Sequence, residues 1–212
     1  MGLVDRYKMY REAGRKLNHK IMNACLEHDA IMGAASLLGI TEGNSVLFYN
    51  EYQTDVLMDF ALNDYIINGR NAVQIYREKY GGDELQLDIM DALLSSYTSL
   101  FKITSIDRRK RSIFFDDILN GISQIRLIDI ALSRTATVGM LLFFRLVSFS
   151  DFNMTSGVSF AFPDELGGYL RKNYKRLCKK VQSDSEAVKR FVSFFWLSKI
   201  DGLKMKYEEK LR

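Results

Sequence analysis

Leu100-Phe101-Lys102-Ile103-Thr104-Ser105-Ile106 is the stretch on which the fold turns. Upstream of it, apolar residues recur every three or four positions, the period of a helix. From it to Phe162 they tend towards every second position, the period of a strand. The charged turn Asp107-Arg108-Arg109-Lys110 follows, and residues 111–118 form a second strand. Asn120-Gly121 predicts a hairpin with a two-residue turn, both residues at positive φ. A third strand spans 122–131, with Ile125, Leu127 and Ile130 apolar. A fourth (138–149) and a fifth (154–162) are joined by Ser150-Asp151-Phe152-Asn153. Five short strands at hairpin spacing predict a small barrel or a strongly twisted sheet, because closure removes exposed edges.

Working outward, residues 4–27 read as one helix through Val4, Tyr7, Gly14, Leu17 and Ile21. Asp29 is positioned to cap a second helix that stops at Gly39. Residues 45–49, Ser-Val-Leu-Phe-Tyr, predict a short strand that could extend the sheet. Helices are expected at 51–67, at 72–80 behind an Asn71 cap, and from Asp83 to about residue 96. After Pro163 the pattern is helical again. One helix runs to about Lys180, and a last one is capped by Asp184 or Ser185. The fold class is therefore α+β. Residues 1–98 form a helical region with one short strand, and 99–163 a five- to six-stranded antiparallel β-barrel-like module. Residues 164–212 form basic and aromatic C-terminal helices.

Composition narrows the function classes. The 212 residues are 47% hydrophobic and 26% charged, which argues for a packed globular chain. The longest apolar run, 138–144, is too short for a membrane span. Met1-Gly2-Leu3-Val4-Asp5-Arg6 runs straight into charge, so no signal peptide is read. Cys25 and Cys178 stand apart and outside any CxxC, which predicts reduced thiols and a cytoplasmic protein. Neither a Walker loop nor a Gly-x-Gly-x-x-Gly is present, so phosphate-cradle and dinucleotide enzymes are not expected. The net charge of +4 is uneven: residues 1–162 hold 17 Lys/Arg against 19 Asp/Glu, and residues 163–212 hold 13 against 7.

The chemistry-bearing residues form few constellations. Glu51, Asp55 and Asp59 share a helical face without a histidine to complete a metal site, so a solvated acidic face is expected. His19 and His28 lack the nucleophile or ligands that a triad or metal would need, and are read as structural. No catalytic, cofactor-binding or metal-ligating residue is assigned. Two basic segments are stronger. Arg108, Arg109, Lys110 and Arg111 sit on a hairpin tip, while Arg171, Lys172, Lys175, Arg176, Lys179 and Lys180 recur along one helix. Such a stripe can neutralise phosphates. Phe191, Phe194, Phe195 and Trp196 make the last helix apolar over most of its girth, as a core or a partner surface requires.

Six stretches carry a resemblance: Leu17-Asn18-His19-Lys20; Val56-Leu57-Met58-Asp59; Asn68-Gly69-Arg70-Asn71-Ala72; Tyr97-Thr98-Ser99-Leu100-Phe101; Ser133-Arg134-Thr135-Ala136 with Gly139; and Phe152-Asn153-Met154-Thr155-Ser156-Gly157. Over residues 15–163 the chain resembles an uncharacterised bacterial family with no known activity. The resemblance implies a helical part joined to a small β module and brings no site residues with it. The functional expectation is a non-enzymatic interaction or adaptor protein, an accessory subunit of a larger bacterial assembly. It would have a protein partner, no cofactor and no membrane. The alternatives are a nucleic-acid-binding accessory protein using 108–111 and 171–180, or an enzyme with an unrecognised site.

Overall fold

The computed structural model describes residues 2–203; the charged end at 204–212 lies outside the described residues. The N-terminal part is built from α1 (Leu3–Cys25), α2 (His28–Leu38), α3 (Tyr52–Asn63), α4 (Ala72–Tyr80) and α5 (Glu84–Leu94). Asn71 Oδ1 accepts from the Gln74 amide at 2.9 Å, and Asp83 Oδ1 from the Gln86 amide at 2.9 Å. Both are N-caps that satisfy an otherwise orphaned amide. Gly39 ends α2 in the left-handed region, at φ 69. Asp29 does not cap that helix: the N-cap is Glu27, and Asp29 lies in the first turn.

Residues 45–49 depart from expectation. Only Ser45–Val46 (β2) is extended, and it pairs with Thr41–Glu42 (β1) in a separate two-stranded hairpin. Leu47, Phe48 and Tyr49 beyond it are exposed. The main sheet holds β3 (Tyr97–Asp107), β4 (Ser112–Asp117), β5 (Ile122–Ile128), β6 (Leu141–Ser148) and β7 (Asn153–Phe162). All its pairings are antiparallel, in the order β5-β4-β3-β6-β7. The sheet is open rather than a closed barrel. Among the described residues no ladder joins β5 to β7, and Asn153 Nδ2 donates to the Arg126 carbonyl at 2.8 Å between them. The 122–131 segment leaves the sheet at Ile128 and turns into the short helix α6 (Leu132–Thr135).

The two tight hairpins share one design. Asp107 Oδ1 accepts from the amides of Arg109 and Lys110, and Asp117 Oδ1 from those of Leu119 and Asn120. Each four-residue loop ends on a left-handed residue, Arg111 at φ 54 and Gly121 at φ 71. The hairpin at Asn120-Gly121 is present, but its turn is not the two-residue type, since Asn120 keeps a negative φ. The aspartate ties the two middle loop amides, which favours the longer loop.

Strand β6 is buried on both sides. Leu142, Phe144 and Leu146 meet Phe101, Ile103, Phe115 and Leu127, and Phe101 stacks on Phe144 at 4.2 Å. Leu141 and Phe143 face the helices instead. Arg145 shares that second face, and Val147 meets the core of α1, α4 and α5. The remaining elements, a 3-10 turn (Asp164–Leu166), α7 (Gly167–Cys178) and α8 (Glu186–Asp201), complete the cover of the helix-side face. Ser185 Oγ caps α8 through the Val188 amide at 3.3 Å.

The outer edge of β7 is occupied by groups from elsewhere in the chain. Arg11 Nη1 donates to the Thr155 carbonyl at 2.7 Å. Tyr52 Oη donates to the Ser159 carbonyl and accepts from the Ser159 amide. The Leu203 amide donates to the Ala161 carbonyl at 2.8 Å. Edge groups satisfied in this way are poor templates for a further strand.

Candidate anion-binding cleft

Helix α1 has two faces. Tyr7, Tyr10, Leu17 and Ile21 are buried against α4, α5 and the end of the sheet. Lys8, Arg11, Glu12, Arg15, Lys16 and His19 fall three and four apart along the other side, which places them on one stripe. Together with Tyr7, Ile130, Ala131 and Arg134 they line a cleft of about 660 Å3. Five permanent cations and one carboxylate therefore share one recess, between α1 and the connection leading from β5 into α6.

The walls are held by specific bonds. Arg11 is anchored rather than free. It donates to the Thr155 carbonyl and hydroxyl, lies 3.5 Å from Asp129, and stands over the Tyr7 ring at 5.3 Å. Burial pushes the Tyr7 hydroxyl up, with Arg11 pulling the other way, so Tyr7 is a neutral floor. Asp129 also accepts from the Leu132 amide at 2.8 Å, fixing the start of α6 and with it Arg134. Lys16 pairs with Glu12 at 2.7 Å, both highly exposed. Lys8, Arg15 and Arg134 are exposed, and among the described residues none of them has an ion-pair partner. His19 is likewise exposed, without a hydrogen-bond partner among those residues. It belongs to the cleft wall rather than serving as the satisfied structural histidine expected from sequence. His28 is exposed as well.

The sequence-selected basic residues are at the surface but apart from this cleft. Arg108, Arg109 and Lys110 are exposed on the β3–β4 loop, with Arg111 half-buried. Arg171, Lys172, Lys175, Arg176, Lys179 and Lys180 are all exposed on α7 and just beyond it. Lys175 and Lys179 line a smaller groove of about 260 Å3 with Tyr174, Cys178, Glu186 and Lys189. Glu186 there pairs with Lys189 at 2.8 Å. Burial pushes the Cys178 thiol up, and Cys25 is shifted the same way by the same cause. Both cysteines are free thiols.

One open alternative is decided and one expectation is corrected. Phe191, Phe194 and Phe195 are at most 2% exposed, so they form core rather than a partner surface. Phe194 stacks between Phe143 and Tyr174 at 4.2 and 5.3 Å. Trp196 is half-buried, and its indole N–H donates to the Leu38 carbonyl at 3.0 Å. Asp59 is not on a solvated acidic face. Glu51 and Asp55 are exposed, whereas Asp59 turns inward to Arg145 at 3.5 Å. Arg145 bonds Asp64 more closely still, and both of these side chains are 3% exposed. An arginine inside the helix-side core needs such carboxylates, because a buried unpaired charge is costly.

Fold and surface together define an α+β protein whose N-terminal helix overhangs an antiparallel sheet and presents a cationic cleft. The chain belongs to the family of unknown function DUF7986, whose model matches residues 1–208 and so includes the C-terminal helices. No curated protein and no solved structure matches it. Among the described residues no helix is long and apolar enough to cross a membrane.

Proposed function

We propose that this protein is a non-enzymatic binding protein, an accessory component that takes up a polyanionic partner in the α1 cleft. One observation carries the reading: Lys8, Arg15 and Arg134 converge on one recess with no carboxylate paired to them among the described residues. An excess of cations over the single carboxylate Glu12, which Arg15 also faces, focuses a positive field on the recess and attracts polyanions. The α7 stripe and the 108–111 loop add further positive surface for a long partner. The burial of the α8 aromatics removes the feature that favoured an apolar protein–protein contact, and this shifts the reading towards charge.

The test is retention on immobilised heparin. The triple variant Lys8→Gln, Arg15→Gln, Arg134→Gln is expected to elute at clearly lower salt than wild type. Its melting temperature should stay close to wild type, since exposed charges contribute less than about 1 kcal/mol each. Equal elution of the two proteins sinks the reading.

A further inference from the structure

We infer that the polyanion held in the α1 cleft is a single nucleic-acid strand, gripped through its phosphodiester backbone. This rests on reading the cleft as a polyanion site and adds the chemistry of the ligand. The first argument is the balance of donors and acceptors. Lys8, Arg15, Lys16 and Arg134 bring donors only. Most acceptors in the lining are already engaged, His19 and the second Glu12 oxygen excepted. Glu12 receives Lys16, the Tyr7 hydroxyl receives Arg11, and the Ile130 and Ala131 carbonyls receive Ser133 Oγ and the Arg134 amide. An acidic peptide would bring an amide N–H at every residue into this donor-rich wall, and each one left unmet there is unfavourable. A phosphodiester backbone brings acceptors alone, matching the wall.

The second argument is spacing. Lys8, the anchored Arg11 and Arg15 step along α1 by three or four residues, with His19 one turn further on, about 4.5–6 Å of helix axis each. A row running about 16 Å from Lys8 to His19 suits successive phosphates of an extended strand better than one compact phosphate group. The third argument is size. An open recess of about 660 Å3 along α1 has room for one phosphodiester backbone to lie in it, whereas a whole duplex would reach it with one strand's edge only. The ring of Tyr7 is buried and its face is covered by Arg11, so it offers no stacking platform. Binding through phosphates alone is therefore sequence-independent.

The experiment titrates the full chain with a labelled mixed-sequence oligonucleotide as single strand, with its duplex, and with poly-glutamate, each at two salt concentrations. The single strand should bind at least ten-fold more tightly than the duplex or poly-glutamate. The Arg15→Gln, Arg134→Gln variant should lose ten-fold or more in affinity at low salt. Its log–log salt slope should flatten by about 1.4, or ~0.7 for each lost strand contact. Duplex or poly-glutamate binding as tight as the single strand overturns the proposal. So does an undiminished double variant, or a loss produced instead by changing Arg171, Lys172, Lys175 and Arg176 to Gln. Retention on heparin without strand binding overturns this proposal and leaves the polyanion reading standing; absence of both removes both.

Discussion

Arg111 and Gly121 occupy the same station in two hairpins built alike, and they respond to substitution in opposite directions. Both sit in the left-handed region, where an L side chain is strained and glycine is not. A Cβ at Gly121 would meet nothing within 4 Å, so the penalty there is backbone strain alone. Gly121→Val should destabilise by about 1–2 kcal/mol. Arg111→Gly should stabilise by a few tenths to ~1 kcal/mol, part of the gain being offset by glycine's larger unfolded-state entropy. Chemical denaturation of the two variants checks the opposite signs; a loss in both would mean that the loops are not equivalent. Asn120-Gly121 was legible as a hairpin. Its loop length was not, because it depends on Asp117 tying the amides of Leu119 and Asn120, a bond that competes with the tighter turn.

At the scale of elements, α1 and α8 show how one pattern yields different readings. In α8 the aromatics surround most of the helix, and periodicity alone could not separate core from interface. The structure places Phe143 and Tyr174 against Phe194, so Phe194→Ala should cost about 3–5 kcal/mol. Ile200, on the same helix and 78% exposed, should change stability by less than ~0.5 kcal/mol on the same truncation. Comparable losses at both positions, read by denaturation midpoint, would contradict this burial. In α1 the apolar face was read and the cationic face was missed, although both have the same period. Over residues 1–162 the acids of α3–α5 cancel the lysines and arginines of α1, which hides the stripe in the overall charge. Six cations against two acids in the first twenty residues was the signal available.

Across the whole molecule, the buried group of Asp59, Asp64 and Arg145 joins α3 and the residue after it to the middle of the sheet. Burial pushes the Asp64 carboxyl from its ordinary 3.8 up to about 6; Arg145 opposes the rise and Asp59 adds to it. The folded protein thus holds this proton more tightly than the unfolded chain. The stabilisation is fully present below about pH 4 and is lost as pH rises to about 6, the native state binding the extra proton within that window. Stability of wild type minus that of Asp64→Asn should fall by roughly 2–3 kcal/mol between pH 4 and pH 6.5, at 1.36 kcal/mol for each pKa unit. Urea midpoints measured across that range test it, and a pH-independent difference would show that Asp64 titrates normally.

Local chemistry was enough to read most of the elements, though not the cap of α2, the length of β5 or the short helix α6. The change of period at residue 100, the caps at Asn71 and Asp83, and the stop at Gly39 depend on neighbours within four residues, so the chain states them directly; for α8 the chain left Asp184 or Ser185, and the structure selects Ser185. Strand β6 was legible for the same reason: Leu141, Leu142, Phe143 and Phe144 form an unbroken apolar run because both faces are covered. Partnership over long distances was decided by the fold. Whether Ser45–Val46 joined the main sheet, whether β5 met β7, and whether Asp59 faced water depended on residues dozens of positions away. The cleft is the clearest case. Its stripe is written in α1, but Arg134 reaches the opposite wall only because Asp129 fixes the start of α6 and lies beside Arg11. The charges of residues 8–19 and 134 become one field when packing brings them to the same recess, since Coulomb interaction follows distance in space rather than along the chain.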